Sequence, residues 1–408
     1  MSPFRYSLNI VIGLNSFSKR TGIVVGVDAT NLRRGGGRTH LIELLREANL
    51  LDFGIDRVVV WGGRDTLNLL VDKPWLDKRC PPSLDGNLVQ RSWWQRNALS
   101  NEARAEGVDV LFVPGGNYAG DFHPVVTMSR NMLPFDWGEL LRYGLSFLTL
   151  KLTFLRITQS RTYSYSDGIV FLTHYAKNGV QRVTGALSGM TAVIPHGMNN
   201  RFINPPRNQR AIEEYSTRTL YRILYVSIID QYKHQWHVVE AVAMLRAQTG
   251  WPLALDLVGP SYPPALKRLD RCLREFDPKH EWVYYHGAVA YDKLHSIYAN
   301  ADLGVFASSC ENMPNILLET MAAGLPVASS DKGPMPEILG DAGVYFNPEK
   351  PDSIVAALKH LIRSAELRAE LAQVSYEKAK GYSWDRCSRD TFRFMVDVFN
   401  RYNGSKIN

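Results

Sequence analysis

The chain has 408 residues, 45% hydrophobic and 21% charged, which excludes disordered and collagen-like classes and, at this length, points to two domains rather than one core. Its net charge of +7 attracts anions such as nucleic acid, acidic lipid or phosphorylated substrates. With no zinc-ligand spacing or RNA-binding signature, nucleic acid is not expected as a partner.

Cys80, Cys272, Cys310 and Cys387 form no C-x-x-C pair, which argues against a structural zinc site or a disulfide scaffold and suits a reducing cytosol. No apolar run reaches about 18 residues, so no membrane-spanning helix is expected. Residues 1–22 read as a loosely attached extension. Their apolar stretch, from Leu8 to Leu14, is too short and polar to span and lacks a small-residue cleavage site.

Short β-branched runs then alternate with longer amphipathic ones, the pattern of parallel sheets with crossover helices. Strands are expected at 23–28, 57–61, 108–113, 124–128, 168–172 and 191–194. A second set is expected at 222–226, 254–258, 282–285, 303–307, 326–328 and 344–346. Between the sets, residues 199–219 are rich in Arg, Asn and Pro, and Asn204-Pro205-Pro206 is a strong break. The expected division is 1–200 and 201–386. Open parallel sheets bind ligands beyond the carboxyl ends of their strands, so the chemistry is expected in strand-to-helix loops facing a cleft.

The first such loop holds Gly35-Gly36-Gly37 between Arg33, Arg34 and Arg38, before a helix from about Thr39. Glycines there let backbone approach a ligand, although a tight turn explains them equally. The most informative loop follows the strand at 303–307. It reads S-S-C-E-N-M-P-N-I-L-L-E-T-M-A-A-G-L-P-V, with Glu311 in the loop and Glu319 inside a helix expected over 315–323. Two random glutamates are ordinarily a cap and a solvated residue. Glu319, however, interrupts the apolar run Ile316-Leu317-Leu318 and Met321-Ala322-Ala323, and a buried carboxylate needs a partner. Carboxylates accept sugar hydroxyls and a helix N-terminus favours a diphosphate. A sugar nucleotide has hydroxyls at both ends and phosphate in the middle.

That segment resembles the E-x7-E signature of the family 4 retaining glycosyltransferases, departing from it at Asn312-Met313 and Thr320. The resemblance implies an α/β, GT-B architecture of two Rossmann-like domains facing across a cleft, with residues 387–408 packing back on the first. It implies that Glu311 contacts the donor sugar, that Glu319 holds the ribose hydroxyls, and that the loop Asn312, Met313, Pro314 and Asn315 holds donor diphosphate or sugar. Gly36 and Gly37 fall where the family's Gly-rich loop lies near donor phosphate and acceptor. Lys233 matches a lysine that neutralises the leaving diphosphate, but Ile228 stands where the family has Arg. Arg130-Asn131 replaces the family's His-Asp, and Arg130 could meet phosphate in compensation. His196 lies in a turn like the family's I-P-N-G-V and reads as structural. Gly116, Asn117 and Arg34 are taken as acceptor-side residues. No D-x-D triplet occurs, so no metal is expected, and the nucleoside diphosphate sugar is a co-substrate with no other cofactor.

Residues 139–165 mix apolar and aromatic residues with Arg142, Lys151, Arg156 and Arg161. They read either as a basic amphipathic helix on an anionic membrane or as a sheet-covering helix with an arginine-bearing outer face. With the positive charge and the family's lipid-linked acceptors, the expectation is a cytoplasmic protein, peripheral on the inner face of the plasma membrane. It would transfer a hexosyl group, mannosyl by preference, to a saccharide or lipid-linked saccharide in O-antigen-like synthesis. The rival is a non-catalytic sugar-nucleotide-binding scaffold, motivated by Ile228 and Arg130; a glycoside phosphorylase fits less well.

Overall fold

The computed structural model describes residues 22–33 and 35–407; the extension before Gly22 and Arg34 lie outside them. Two all-parallel sheets organise the chain. The first is ordered β3-β2-β1-β4-β5-β6-β7, from β1 (Ile23–Asp28), β2 (Ile55–Trp61), β3 (Leu76–Arg79), β4 (Val110–Val113), β5 (Val125–Met128), β6 (Gly168–Phe171) and β7 (Met190–Val193). The second is ordered β10-β9-β8-β11-β12-β13, from β8 (Tyr221–Val226), β9 (Leu253–Val258), β10 (Val283–Tyr285), β11 (Leu303–Phe306), β12 (Val327–Ser330) and β13 (Val344–Phe346). The central strands are buried along their length, as in the V-L-F-V of β4 and the L-A-L-D-L-V of β9. Helices cover both faces, so continuous apolar runs replace alternation.

Six helices matter to the site: α1 (Gly36–Arg46), α2 (Phe147–Tyr165), α3 (His174–Thr184), α4 (Asn315–Ala322), α5 (Pro351–Arg363) and α6 (Trp384–Ile407). Two expectations need correction. Edge strand β3 was not anticipated: its L-D-K-R sequence carries three charges, so it lacks the β-branched signal that marks the others. Helix α1 starts at Gly36 rather than near Thr39, so Gly36 and Gly37 belong to its first turn. Gly35 before it has φ +66°, a conformation that disfavours side chains.

The order reverses between β1 and β4 in one sheet and between β8 and β11 in the other, and a crevice opens at each such switch point. The carboxyl ends of the sheets meet. Glu337 of the second half accepts from the backbone amides of His174 and Tyr175 at 2.7 and 2.9 Å, and so caps α3 of the first half with a carboxylate favoured by the helix dipole. Thr173 Oγ1 donates to Asn312 O at 2.9 Å, and Tyr143 Oη to Asp230 Oδ1 at 3.0 Å. Helix α6 returns to the first half, where Ser388 Oγ donates to Leu44 O of α1 at 2.8 Å.

Arg368 is fully buried and closes the C-terminal end of α5. Its guanidinium donates to the carbonyls of Leu361 (3.0 Å) and Ile362 and to that of Arg210, and lies 5.5 Å from the Tyr221 ring centroid. Hydrogen bonds to charged groups are each worth about 1.5–3 kcal/mol. Arg368→Met is therefore expected to destabilise the second half by about 3 kcal/mol, read by urea unfolding; unchanged stability would contradict this.

Candidate active site

The second sheet's switch point holds the first cluster. After β8, Asp230 caps the single turn Gln231–Lys233. This brings Lys233, only 5% exposed, under the loop that follows β11. Its ammonium is hydrogen-bonded to Glu311 Oε1 and lies 4.9 and 5.2 Å from the ring centroids of Tyr232 and Phe306. A carboxylate and ring faces offset the cost of burying an ammonium. Ile228, at the position where the resemblance would put a second cation, is exposed and offers only its carbonyl, to Gln235 Nε2 at 2.8 Å.

Glu311 is followed by the loop that starts α4. Pro314 is the residue before the helix, and the Asn315 amide donates back to Met313 O at 3.0 Å. In this structure that amide is therefore engaged internally. One turn inside, Glu319 is 5% exposed, and its two oxygens accept from Tyr291 Oη at 3.2 Å and Tyr298 Oη at 3.3 Å. Both tyrosines come from the segment between β10 and β11. A carboxylate has about four lone-pair sites, so two remain for a ligand diol. Burial raises the Glu319 pKa to about 7, and the tyrosine hydroxyls oppose this.

The first domain supplies the facing wall. Arg130 follows β5, and a Cβ on Gly37 would collide with its guanidinium, so the two residues depend on each other. Beyond them the His40 and His196 rings stack at 4.8 Å against Trp384, 6.0 and 5.5 Å away. Burial, then like charge, holds both histidines neutral: His196 falls to about 3 and His40 well below its ordinary value. His196 is more than a turn residue, because its Nδ1 faces Asn315 Nδ2 at 3.3 Å and its backbone amide meets Met313 Sδ at 3.1 Å. Asn312 Nδ2 donates to Ser129 Oγ at 3.3 Å.

Gly116 and Asn117 follow β4 at the first sheet's switch point, and Tyr163 links Gly116 to Arg130. Gly116 has φ +75° and lies close to Met128 O and Tyr163 Oη. Asn117 accepts from Gln95 Nε2 at 3.1 Å and Thr158 Oγ1 at 2.9 Å, and Gln95 also binds the buried Asp28 at the end of β1. Sequence reading did not single out His40, Asp28, Gln95, Tyr291, Tyr298 or Glu337. Only Asp28, last residue of a strand at a switch point, carried a usable signal.

Helix α2 holds Asn117 and Tyr118 through Thr158 and Thr162 on its inner side. Its outer side is apolar: Phe147, Leu150, Phe154 and Ile157 are 83, 71, 65 and 63% exposed, with Lys151 and Arg161 exposed beside them. Arg156 turns inward to Pro134 O at 3.0 Å, which leaves Arg161 as the arginine on the outer side of this helix. No helix among the described residues is long and apolar enough to cross a membrane.

Residues 221–364 match the family model described as glycosyl transferases group 1. O-antigen chain mannosyltransferase B of Escherichia coli is 28% identical over 41% of this chain and 44% of its own length. Sulfoquinovosyl transferase of Arabidopsis thaliana is 30% identical over 24% of this chain and 21% of its own length. The chain thus spans less than half the length of these curated relatives. Among solved structures, sucrose-phosphate synthase of Thermosynechococcus elongatus has a TM-score of 0.72 at 16% identity, covering 93% of this chain and 100% of its own. WaaG, a glycosyltransferase involved in lipopolysaccharide biosynthesis, gives 0.63 at 16% identity, over 91% of this chain and 98% of its own. The fold is GT-B, and the resemblance to bacterial polysaccharide glycosyltransferases of that type stands on these matches.

The Glu319 pKa generates a pH dependence. The folded chain keeps its proton up to about pH 7, whereas the unfolded chain releases it near the ordinary 4.5. Its stabilising contribution is therefore full at low pH and is lost as pH rises through about 7. Relative to Glu319→Gln, which cancels the other titrations, the native chain should lose about 2 kcal/mol between pH 5.5 and 8.5, measured by urea unfolding. A constant difference would contradict a raised pKa.

Proposed function

We propose that this protein transfers a hexosyl group, with retention, from a nucleoside diphosphate sugar to a hydroxyl of a saccharide or lipid-linked saccharide in cell-surface polysaccharide synthesis. One observation carries the reading: both signature carboxylates stand at the carboxyl edge of the second sheet. Glu311 is on the buried Lys233, and Glu319 keeps acceptor capacity beyond its two tyrosines. GDP-mannose is the leading donor, supported by the mannosyltransferase relative; solved neighbours binding UDP and glucose support a sugar nucleotide in general.

In this reading Glu319 accepts the ribose hydroxyls. The loop Asn312 to Asn315 and the N-terminus of α4 line the diphosphate. Glu311 orients the transferred sugar and holds Lys233 beside the leaving group. Charge builds on the diphosphate as the glycosidic bond breaks, and preorganised donors stabilise it. No side chain is assigned as general base, so the departing phosphate takes the acceptor proton. The leaving group's charge is met by Lys233 and amide dipoles, with no metal assigned. Closure of the two halves limits hydrolysis by excluding water.

The same reading places the protein on the cytoplasmic face of the membrane through α2. An exposed apolar stripe flanked by Lys151 and Arg161 suits an anionic bilayer surface. The wall that carries the stripe also holds the Asn117 loop, so a lipid-linked acceptor would arrive beside the first switch point.

Two measurements check this. Nucleotide release, assayed across UDP-, GDP-, ADP- and dTDP-sugars, should occur with one donor and fall about 100-fold or more in Glu311→Ala and Glu319→Ala; binding without release from any donor would favour a scaffold. In liposome flotation, Phe147→Ser with Phe154→Ser should abolish co-flotation with anionic vesicles, and native chain that never floats would remove the membrane assignment.

A further inference from the structure

The contact between the two halves contains buried polar atoms that lack partners. They are Arg130 Nε, both ring nitrogens of His40, His196 Nε2, Asn312 Oδ1 and Asn315 Oδ1. These atoms are neighbours. Arg130 lies against Gly37; His40 stacks on His196; His196 meets Asn315; Asn312 meets Ser129, the residue before Arg130. Buried polar groups are nearly always paired, so an orphaned group of this size marks a place where a ligand supplies the missing partners.

The charge at this place is one-sided. Burial lowers the Arg130 pKa to about 10, with Tyr163 the only group opposing that shift. Among the described residues no carboxylate neutralises Arg130. The first turn of α1, where Gly37 lies against Arg130, contains no acidic side chain either. Lys233, by contrast, is already paired with Glu311. The uncompensated positive charge of the cleft therefore belongs to the first domain, while the second domain offers Ile228 where a cation would serve a leaving group.

We propose that Arg130, with the α1 N-terminus at Gly36 and Gly37, binds the terminal phosphoryl group of the nucleoside diphosphate, supplying from the first domain the cation that Ile228 denies in the second. His40, His196 and Asn312 then meet the hydroxyls of the adjoining sugar. This rests on the sugar-nucleotide reading given above and adds to it that the diphosphate is a counter-ion shared by both halves. Arg130 is consequently costly to the empty protein and useful only with ligand bound.

The test exploits that opposition. Arg130→Met keeps the volume and removes the charge, and Arg130→Lys keeps the charge. Each is compared with the native chain by thermal unfolding without ligand and by calorimetric titration with GDP, UDP and their monophosphates. Removing an uncompensated buried charge should raise the Tm of the empty Arg130→Met protein. Its preference for diphosphate over monophosphate should fall about 10- to 100-fold, the loss of a charged hydrogen bond, with monophosphate affinity kept; Arg130→Lys should retain part of the preference. A lowered Tm with an unchanged diphosphate preference would make Arg130 structural and overturn this inference alone. A native chain that binds no nucleoside diphosphate would overturn the parent reading and this inference together.

Discussion

A parallel sheet covered by helices on both faces buries everything except its two edges of strand ends. At the carboxyl edge, helix N-termini and strand-end residues converge on the crevice beside the switch point. Here two such edges are pressed together, and every polar group between them must find a partner in the opposing half, in its own half, or in a ligand. Glu337 on α3 and Thr173 on Asn312 show the first solution. Lys233 on Glu311 shows the second. Arg130 Nε, both His40 ring nitrogens and His196 Nε2 have neither, and the third solution remains for them.

That constraint gives the two signature glutamates different physical characters. Glu311 is hydrogen-bonded to the buried Lys233 side chain at the loop. Glu319 is sunk in an apolar helix, is held by two phenols and sits near neutrality. In the proposed reading the carboxylate nearer the diphosphate is the one already paired with a cation, and the one held by phenols meets the neutral diol. Helix α2 extends the arrangement outward. Its threonines position the Asn117 loop, and its opposite face offers apolar side chains to whatever lies outside.

Much of this was legible in the sequence, for identifiable reasons. Buried parallel strands are written as β-branched runs, so twelve of them could be placed, whereas β3, with Asp77, Lys78 and Arg79, could not. Glu319 could be suspected because a charge in an apolar helix demands a partner, yet Tyr291 and Tyr298 could not be named: their roles come from chain segments brought beside α4 only by the sheet. Gly37 and Arg130 were each visible singly, and their dependence on each other is a tertiary fact. His196 read as a turn residue because nothing local reveals that it touches Asn315 across the cleft. Local rules thus recovered the elements and the signature carboxylates, and missed the groups whose meaning lies in the opposing half.

The central claim is that one ligand is held by both halves at once, and hydrogen exchange of the full chain with and without nucleoside diphosphate addresses it most directly. The account predicts simultaneous protection of the amides around Glu311 to Glu319 and of those around Gly36 to His40. Protection confined to the second half, with the α1 amides exchanging as in the empty protein, would contradict it.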